Sequence, residues 1–373
     1  MDTNIGAKER VTQNRLIGLF KNVLKYTYLG NWETREDNAN IEEKLLTAYL
    51  SRRGYTDKEI RSSIVKLKQS ANSLGGGLYN ANKEVYTFLR YGVNIQAEVT
   101  EKKKMVHLID WANPMENDFQ IAEEVTIQGA SDRRPDLVVY VNGIALAVIE
   151  LKRSTVSAHE GIRQNIRNQQ DGYIPRFFTT IQLLFAGNDT EGLHYGVIKT
   201  PEKFWLRWKE PCGEPCQPSH FTAKEYPNEL DRSVLQFFEP VRLLEYIHDF
   251  IIFDGGIKKT ARPNQYFAVK AAQPRVRKKQ NGIIWHSQGS GKSLTMVWLA
   301  QWIRENVSDA RVVIITDRDE LDKQIESGFK DVGEQIQRAK SGGKLIEMLN
   351  AAEPWLICTL IHKFGNKNDS DAI

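Results

Sequence analysis

Cysteine is scarce in this chain. Three thiols among 373 residues cannot build the disulfide framework of a small secreted scaffold, and that scarcity points to a reducing, cytoplasmic compartment. No apolar segment follows the charges of the opening MDTNIGAKER, so no secretory signal is expected. Long hydrophobic runs are missing as well. The most apolar stretch, residues 137–149, is broken by Asn142 and Gly143 and stays short of the roughly 18 apolar residues that a spanning helix requires, so no membrane partner is expected. Neither sign of charge is in excess: 51 Lys and Arg stand against 47 Asp and Glu, for a formal charge of +4. A polyanionic partner therefore has to be argued from local groups rather than from the net field. Repeats and low-complexity tracts are absent too. What remains is ordinary globular material, 41% hydrophobic and 10% aromatic, enough for sizeable cores in two or three domains.

Apolar spacing over residues 11–68 is helical, with Leu16, Phe20, Val23 and Leu24 on one segment, Ile41, Leu45, Leu46 and Leu50 on another, and Gly30 and Gly54 as stops. Two or three helices are expected there. The glycine run of ANSLGGGLYNANKEVYTFLRYGV breaks the pattern, and from Val106 the spacing turns strand-like. A helical segment, SAHEGIRQNIRNQQDGY, and a buried strand, TTIQLLFAGND, follow, an order that predicts an α/β or α+β domain. Pro211, Gly213, Pro215, Pro218 and Pro227 mark a long loop. Cys212, Cys216 and His220 in that loop lack an evident fourth ligand and the usual pair spacing of a metal knuckle, so incidental thiols are expected. Paired glycines near residue 255 close the next helical stretch and set the expected boundary, 1–255 against 256–373.

GIIWHSQGSGKSLTMVWLAQWIREN has the form strand, Gly/Ser-rich loop, helix, with Ile283, Ile284 and Trp285 as the expected strand. Small residues at Gly289, Ser290 and Gly291 let backbone N–H groups converge on phosphate oxygens, and the following helix adds its N-terminal partial charge. Lys292 would reach the β- and γ-phosphates of ATP, and the Ser293 hydroxyl would bind its Mg²⁺. His286 stands where the strict phosphate-loop pattern has glycine. Gln265, in RPNQYFAVKAA, carries an amide able to read an adenine edge, and the strands in RVVIITDRDELDKQ and EPWLICTLIHKF predict a doubly wound parallel sheet. Together these segments resemble the first, RecA-like motor lobe of superfamily 2 helicases and translocases. No acidic motif of the DEAH type follows before Ile373. The expected behaviour of the chain alone is therefore to bind ATP analogues without appreciable turnover.

RRPDLVVYVNGIALAVIELKRS reads as a buried hairpin turning at Asn142 and Gly143. Charges at the ends of such strands need a metal, partners or water. Asp136 and Glu150 supply hard oxygen ligands for Mg²⁺, and Lys152 can orient or deprotonate an attacking water, which is the chemistry of phosphodiester hydrolysis. A plain two-residue turn pairs Val141 with Ile144 and leaves Asp136 opposite Ile149, with Glu150 on the other face. The metal reading therefore predicts an irregularity, a longer loop or a one-residue bulge.

The same residues, with IPRFFTTIQLLFAGND and the motor segments, resemble the restriction (R) subunit of type I restriction-modification enzymes. That resemblance implies a PD-(D/E)xK nuclease domain, a mixed sheet flanked by helices, followed by the ATP-driven motor lobe, with the motor apparently truncated. It implies cleavage of double-stranded DNA coupled to translocation, Mg²⁺ and ATP as cofactors, and the modification and specificity subunits as partners. It also sets Gln169 and Tyr173 as a Q-x-x-x-Y support of the nuclease site, with Gln164 as rival glutamine, and matches Glu43 to an acidic residue of the first helix. Two alternatives stay open: a recombination or repair helicase-nuclease, and a DNA-binding ATPase with an inactive nuclease-like docking domain.

Overall fold

The computed structural model describes residues 9–96, 103–211, 220–331 and 333–364; Cys212 and Cys216 lie outside them. The chain divides into two compact units. The first holds the described residues up to 210 together with 220–248 and 258–260, and the second holds 211, 249–257 and the described residues from 261 onward.

The first unit opens with α1 (Glu9–Asn22), β1 (Thr27–Asn31), α2 (Glu43–Arg52), α3 (Asp57–Asn72) and α4 (Gly77–Tyr91), followed by a ribbon of β2 (Val93–Ile95) and β3 (Lys104–Val106). A reciprocal cap starts α3, in which Thr56 Oγ1 accepts from Glu59 N and Glu59 Oε2 accepts from Thr56 N. The glycine run does not break the structure as the sequence suggests, because α4 forms within it. Gly77, at φ +79°, admits the chain to a helix that buries Leu78, Ala81, Val85, Tyr86 and Leu89 at spacings of three and four.

The unit continues through β4 (Phe119–Glu123), β5 (Leu137–Val141), β6 (Ile144–Leu151), α5 (Ala158–Asn168), β7 (Leu183–Asn188), β8 (Gly192–Gly196), β9 (Leu206–Arg207), α6 (Glu229–Phe237) and α7 (Pro240–Asp249). Seven strands form one mixed sheet in the order β1-β4-β5-β6-β7-β8-β9. The β1/β4 and β6/β7 pairs are parallel and the others antiparallel. Every residue of β5 and β6 is buried, as continuous apolar strands should be when both faces are covered. On one face Val138, Tyr140, Val148, Leu184 and Ala186 pack with Ile162 of α5. On the other, Phe185 meets Phe238 at a ring separation of 4.6 Å and Phe237 at 4.9 Å, and Phe20 of α1 lies 5.2 Å from Phe238.

A ribbon of β10 (Ile251–Asp254) and β11 (Ile257–Thr260) follows. The second unit then runs α8 (Pro263–Arg277), α9 (Lys292–Asn306), β12 (Val312–Thr316), α10 (Asp319–Asp331), β13 (Ile336–Arg338), α11 (Gly342–Asn350) and β14 (Leu356–Leu360). Its sheet has the order β12-β14-β13 and both pairings are parallel, the arrangement that strands alternating with helices produce. Val297 and Ala300 of α9 pack on Ile314, Leu356 and Cys358, with Ile325 and Phe329 of α10. The strand expected at 283–285 is not formed. That segment has no regular secondary structure, with Ile283 and Trp285 each 90% exposed. An apolar run becomes a strand only when a sheet edge pairs with it, and β12 takes no second partner among the described residues. No helix among the described residues is long and apolar enough to cross a membrane.

Candidate active site

The β5/β6 hairpin sets the first group of side chains. Asn142 and Gly143 turn with φ of +54° and +80°, the backbone that a two-residue hairpin turn of matching twist demands. From Val141↔Ile144 and Tyr140↔Ala145 the pairing jumps to Val139↔Ala147, Val138↔Val148 and Leu137↔Ile149. Leu146 is therefore a one-residue bulge, and the shifted register carries Asp136 opposite Glu150, the irregularity the sequence requires. The turn itself is buried. Asn142 Nδ2 donates to Leu108 O at 2.9 Å and Asn117 Oδ1 at 2.8 Å, while Gly143 N donates to Gln120 Oε1 at 3.1 Å and Gly143 O accepts from Glu42 N at 2.8 Å.

At the other end Asp136 Oδ2 accepts from Leu151 N at 2.6 Å, tying the two strands at the carboxylate. Glu150 is fully buried. Its Oε2 accepts from Gln164 Nε2 at 2.7 Å, and α5 comes close enough for this because Gly161 faces Glu150 and Ala186, where a Cβ would lie 3.1 Å from the Ala186 Cβ. Glu150 Oε1 meets no donor among the described residues. Lys152 Nζ donates to Leu151 O at 2.7 Å and lies 3.3 Å from Glu9 Oε1, at the first turn of α1.

Electrostatics follow from this crowding. Burial pushes the Asp136 carboxyl up to about 6, against the pull of Lys152 and the Leu151 N–H. Burial, and then the charge of Asp136, raise Glu150 well above the carboxylate range. Burial alone would lower Lys152, yet Asp136, Glu150 and Glu9 outweigh it and hold the ammonium charged. A buried carboxylate pair with an orphaned oxygen and one cation nearby is a donor set that fits a hard divalent ion such as Mg²⁺.

Of the supporting residues, Gln164 reaches the Glu150 carboxylate. Gln169 and Tyr173 are placed elsewhere: Gln169 donates to Asn165 O and accepts from Lys199 N, and Tyr173 carries the Arg133 guanidinium 4.1 Å over its ring. The Q-x-x-x-Y spacing singles out Gln169, four residues before Tyr173, whereas it is the earlier Gln164 that the helix face turns to Glu150. Glu43 is exposed and pairs with Lys68, so the acidic residue of the N-terminal helices that reaches the site is Glu9, for which the local sequence carries no signal.

In the second unit Gly289 and Gly291 have φ of +76° and +84°, and α9 begins at Lys292. Lys292 Nζ donates to His286 O at 3.2 Å and Ser287 O at 3.1 Å, bracing the loop, and Ser290 Oγ donates to Ser287 O at 2.7 Å. Ser293 follows in the first turn, half-buried. Gln265 is buried against the same loop, where its Nε2 donates to Gly291 O at 2.8 Å and its Oε1 accepts from Arg262 N at 2.8 Å. Its amide holds the loop in place, with both ends engaged inside the protein.

A buried carboxylate pair with a lysine nearby lies in one unit, and a Gly/Ser loop opening a helix lies in the other. The family model for the type I restriction enzyme R protein N terminus matches residues 7–203, more than half of the chain, and that for the SWI2/SNF2 ATPase matches residues 264–373. The chain belongs to the type I restriction enzyme R protein family. It is 27% identical over 403 aligned residues, covering 98% of its own length and 38% of the relative's, to the putative type I restriction enzyme MjaIXP endonuclease subunit of Methanocaldococcus jannaschii. It is 26% identical over 283 residues, 73% of the chain and 29% of the relative, to the type I restriction enzyme SsaAORF53P endonuclease subunit of Staphylococcus saprophyticus. A second M. jannaschii protein, the putative MjaVIIP endonuclease subunit, is 29% identical over 290 residues, 71% of the chain and 26% of the relative. The chain thus spans well under half the length of these curated relatives.

Proposed function

We propose that this chain carries the nuclease site and part of the ATP-binding motor of a type I restriction endonuclease acting on double-stranded DNA, with modification and specificity subunits as partners. The observation that carries the reading is the Leu146 bulge, which brings Asp136 opposite Glu150 and leaves Glu150 Oε1 with no donor among the described residues. Asp136 and Glu150 would hold Mg²⁺, which supplies Lewis-acid stabilisation of the phosphate and a more acidic water. Lys152, kept charged by three carboxylates, orients that water and offsets charge on the phosphate. Gln164 fixes the Glu150 carboxylate through one oxygen and leaves the other free. In the second unit Gly289, Ser290, Gly291, Lys292 and Ser293 would cradle ATP·Mg, with Gln265 supporting the loop; the SWI2/SNF2 ATPase match supports nucleotide use.

The test is cutting of unmodified DNA by the full-length R protein with its partner subunits, in the presence of ATP and Mg²⁺. Lys152→Ala should reduce cutting by at least about a hundredfold and leave DNA-stimulated ATP turnover near normal, because the two sites lie in different units. Cutting that survives this substitution would remove the hydrolytic role.

A further inference from the structure

Two arginines stand beside the carboxylate cluster and play no part in the hydrolytic reading. Arg134 lies two residues before Asp136; its Nε is 2.8 Å from Glu124 Oε2 and its Nη1 pairs with Glu33. Arg10 follows Glu9 in α1; its Nη1 lies 2.7 Å from Glu123 Oε2 and 3.5 Å from Glu124 Oε1. Glu124 is their common holder, and it is built into the site, since its backbone N–H donates to Asp136 O at 2.9 Å. It does so at φ +50°, a left-handed conformation that a glutamate keeps only where its surroundings enforce it. Both arginines stay open, with side chains 48% and 46% exposed. Exposed pairs such as Arg134 with Glu33 contribute little to stability, so stability alone gives no reason for holding two guanidinium groups against a strained glutamate at the edge of the site.

We propose that Arg10 and Arg134 form a clamp for the backbone of the DNA strand being cut, held ready by Glu124 and closing on phosphates that flank the scissile one. The choice of substrate rests on the nuclease reading. The chemistry of the clamp is the planar paired donor face of a guanidinium, which matches phosphate oxygens. Asp136, Glu150, Glu9, Glu123 and Glu124 surround the site with negative charge, so a phosphodiester needs cations other than Lys152 to approach it. Glu124 presents the two arginines together and lowers the rotamer freedom lost when they transfer to the strand.

Equilibrium binding of a duplex to the full-length R protein, measured across salt concentrations with Ca²⁺ in place of Mg²⁺, tests the clamp. Each lost phosphate contact should lower the slope of log affinity against log salt by about 0.9. Arg10→Ala and Arg134→Ala should each show that loss, and the double variant about twice it. Arg134→Lys, which keeps the charge, should restore most of the slope, and Glu124→Gln should tighten binding by loosening Arg134, while Arg10 keeps its pairing with Glu123. A double variant that melts earlier but keeps the wild-type slope would overturn the clamp and leave two structural ion pairs. The two readings fail separately. If Lys152→Ala still cuts while the slope falls as expected, the clamp stands as a DNA contact and the hydrolytic role of the cluster is lost. If Lys152→Ala abolishes cutting and the slope does not move, only the clamp is lost.

Discussion

Asp136 binds a proton more tightly in the folded chain than in the unfolded one, because burial moves its carboxyl from 3.8 to about 6. Between those values the folded state holds more protons, so stability falls as pH rises through that window, and the deficit is complete above it. A shift of this size amounts to something on the order of 1–3 kcal/mol, the upper end being about two pKa units at 1.36 kcal/mol each. Asp136→Asn should therefore make the metal-free protein more stable at pH 8 by a similar amount and flatten its dependence on pH between about 4 and 6, as measured by urea unfolding in chelator. Mg²⁺ should recover stability in the wild type and not in the variant, since a ligand that binds only the folded state adds to its free energy. A variant less stable than wild type at pH 8 would mean that the buried charge is not the dominant cost at this position.

The β5/β6 hairpin shows how function-bearing geometry can be set at the far end of an element. Gly143 has φ +80°, and a Cβ there would lie 2.7 Å from the Leu45 Cβ and 2.8 Å from Glu42 O and Leu46 N. Gly143→Ala should cost roughly 2–4 kcal/mol in chemical unfolding, whereas Gly75→Ala, which meets nothing within 4 Å, should stay within about 0.5 kcal/mol. This hairpin was legible in the sequence down to its irregular register, because Asn-Gly fixes a turn, period 2 fixes the faces, and the two carboxylates could share a face only if one residue were skipped. Other elements were not legible. Gly75, Gly76 and Gly77 read as an interruption, although the helix behind them keeps an apolar stripe; Ile283, Ile284 and Trp285 read as a strand, although pairing depends on a distant edge. At the site, Asp136, Glu150 and Lys152 could be found because they end apolar strands. Glu9 could not, since its contact with Lys152 spans 143 positions and nothing local marks it. Spacing favoured Gln169, four residues before Tyr173, yet the close approach at Gly161 brings Gln164 to Glu150 instead.

At the scale of the molecule, the carboxylate cluster and the Gly/Ser loop belong to separate compact units, so their proposed chemistry should be separable by substitution. Lys292→Ala should weaken uptake of a fluorescent ATP analogue at least about tenfold, the loss of one charge-assisted contact to phosphate, and leave the urea unfolding of the first unit unchanged. An equal loss of nucleotide binding in Lys152→Ala would contradict that independence. The enclosed hairpin turn has a further consequence for the molecule as a whole. Hairpin tips are ordinarily where a chain gains length, because they end in solvent. Here the tip is enclosed, with Asn142 fully buried and hydrogen-bonded to Leu108, Asn117 and Asp118. Insertions and deletions are therefore shut out of residues 142–143 and must be absorbed at open turns such as Gly255, where an added Cβ would meet no atom within 4 Å. The span from Asp136 to Lys152 thus behaves as a fixed-length ruler, and the rest of the chain can change length around it without altering the distance between its two ends.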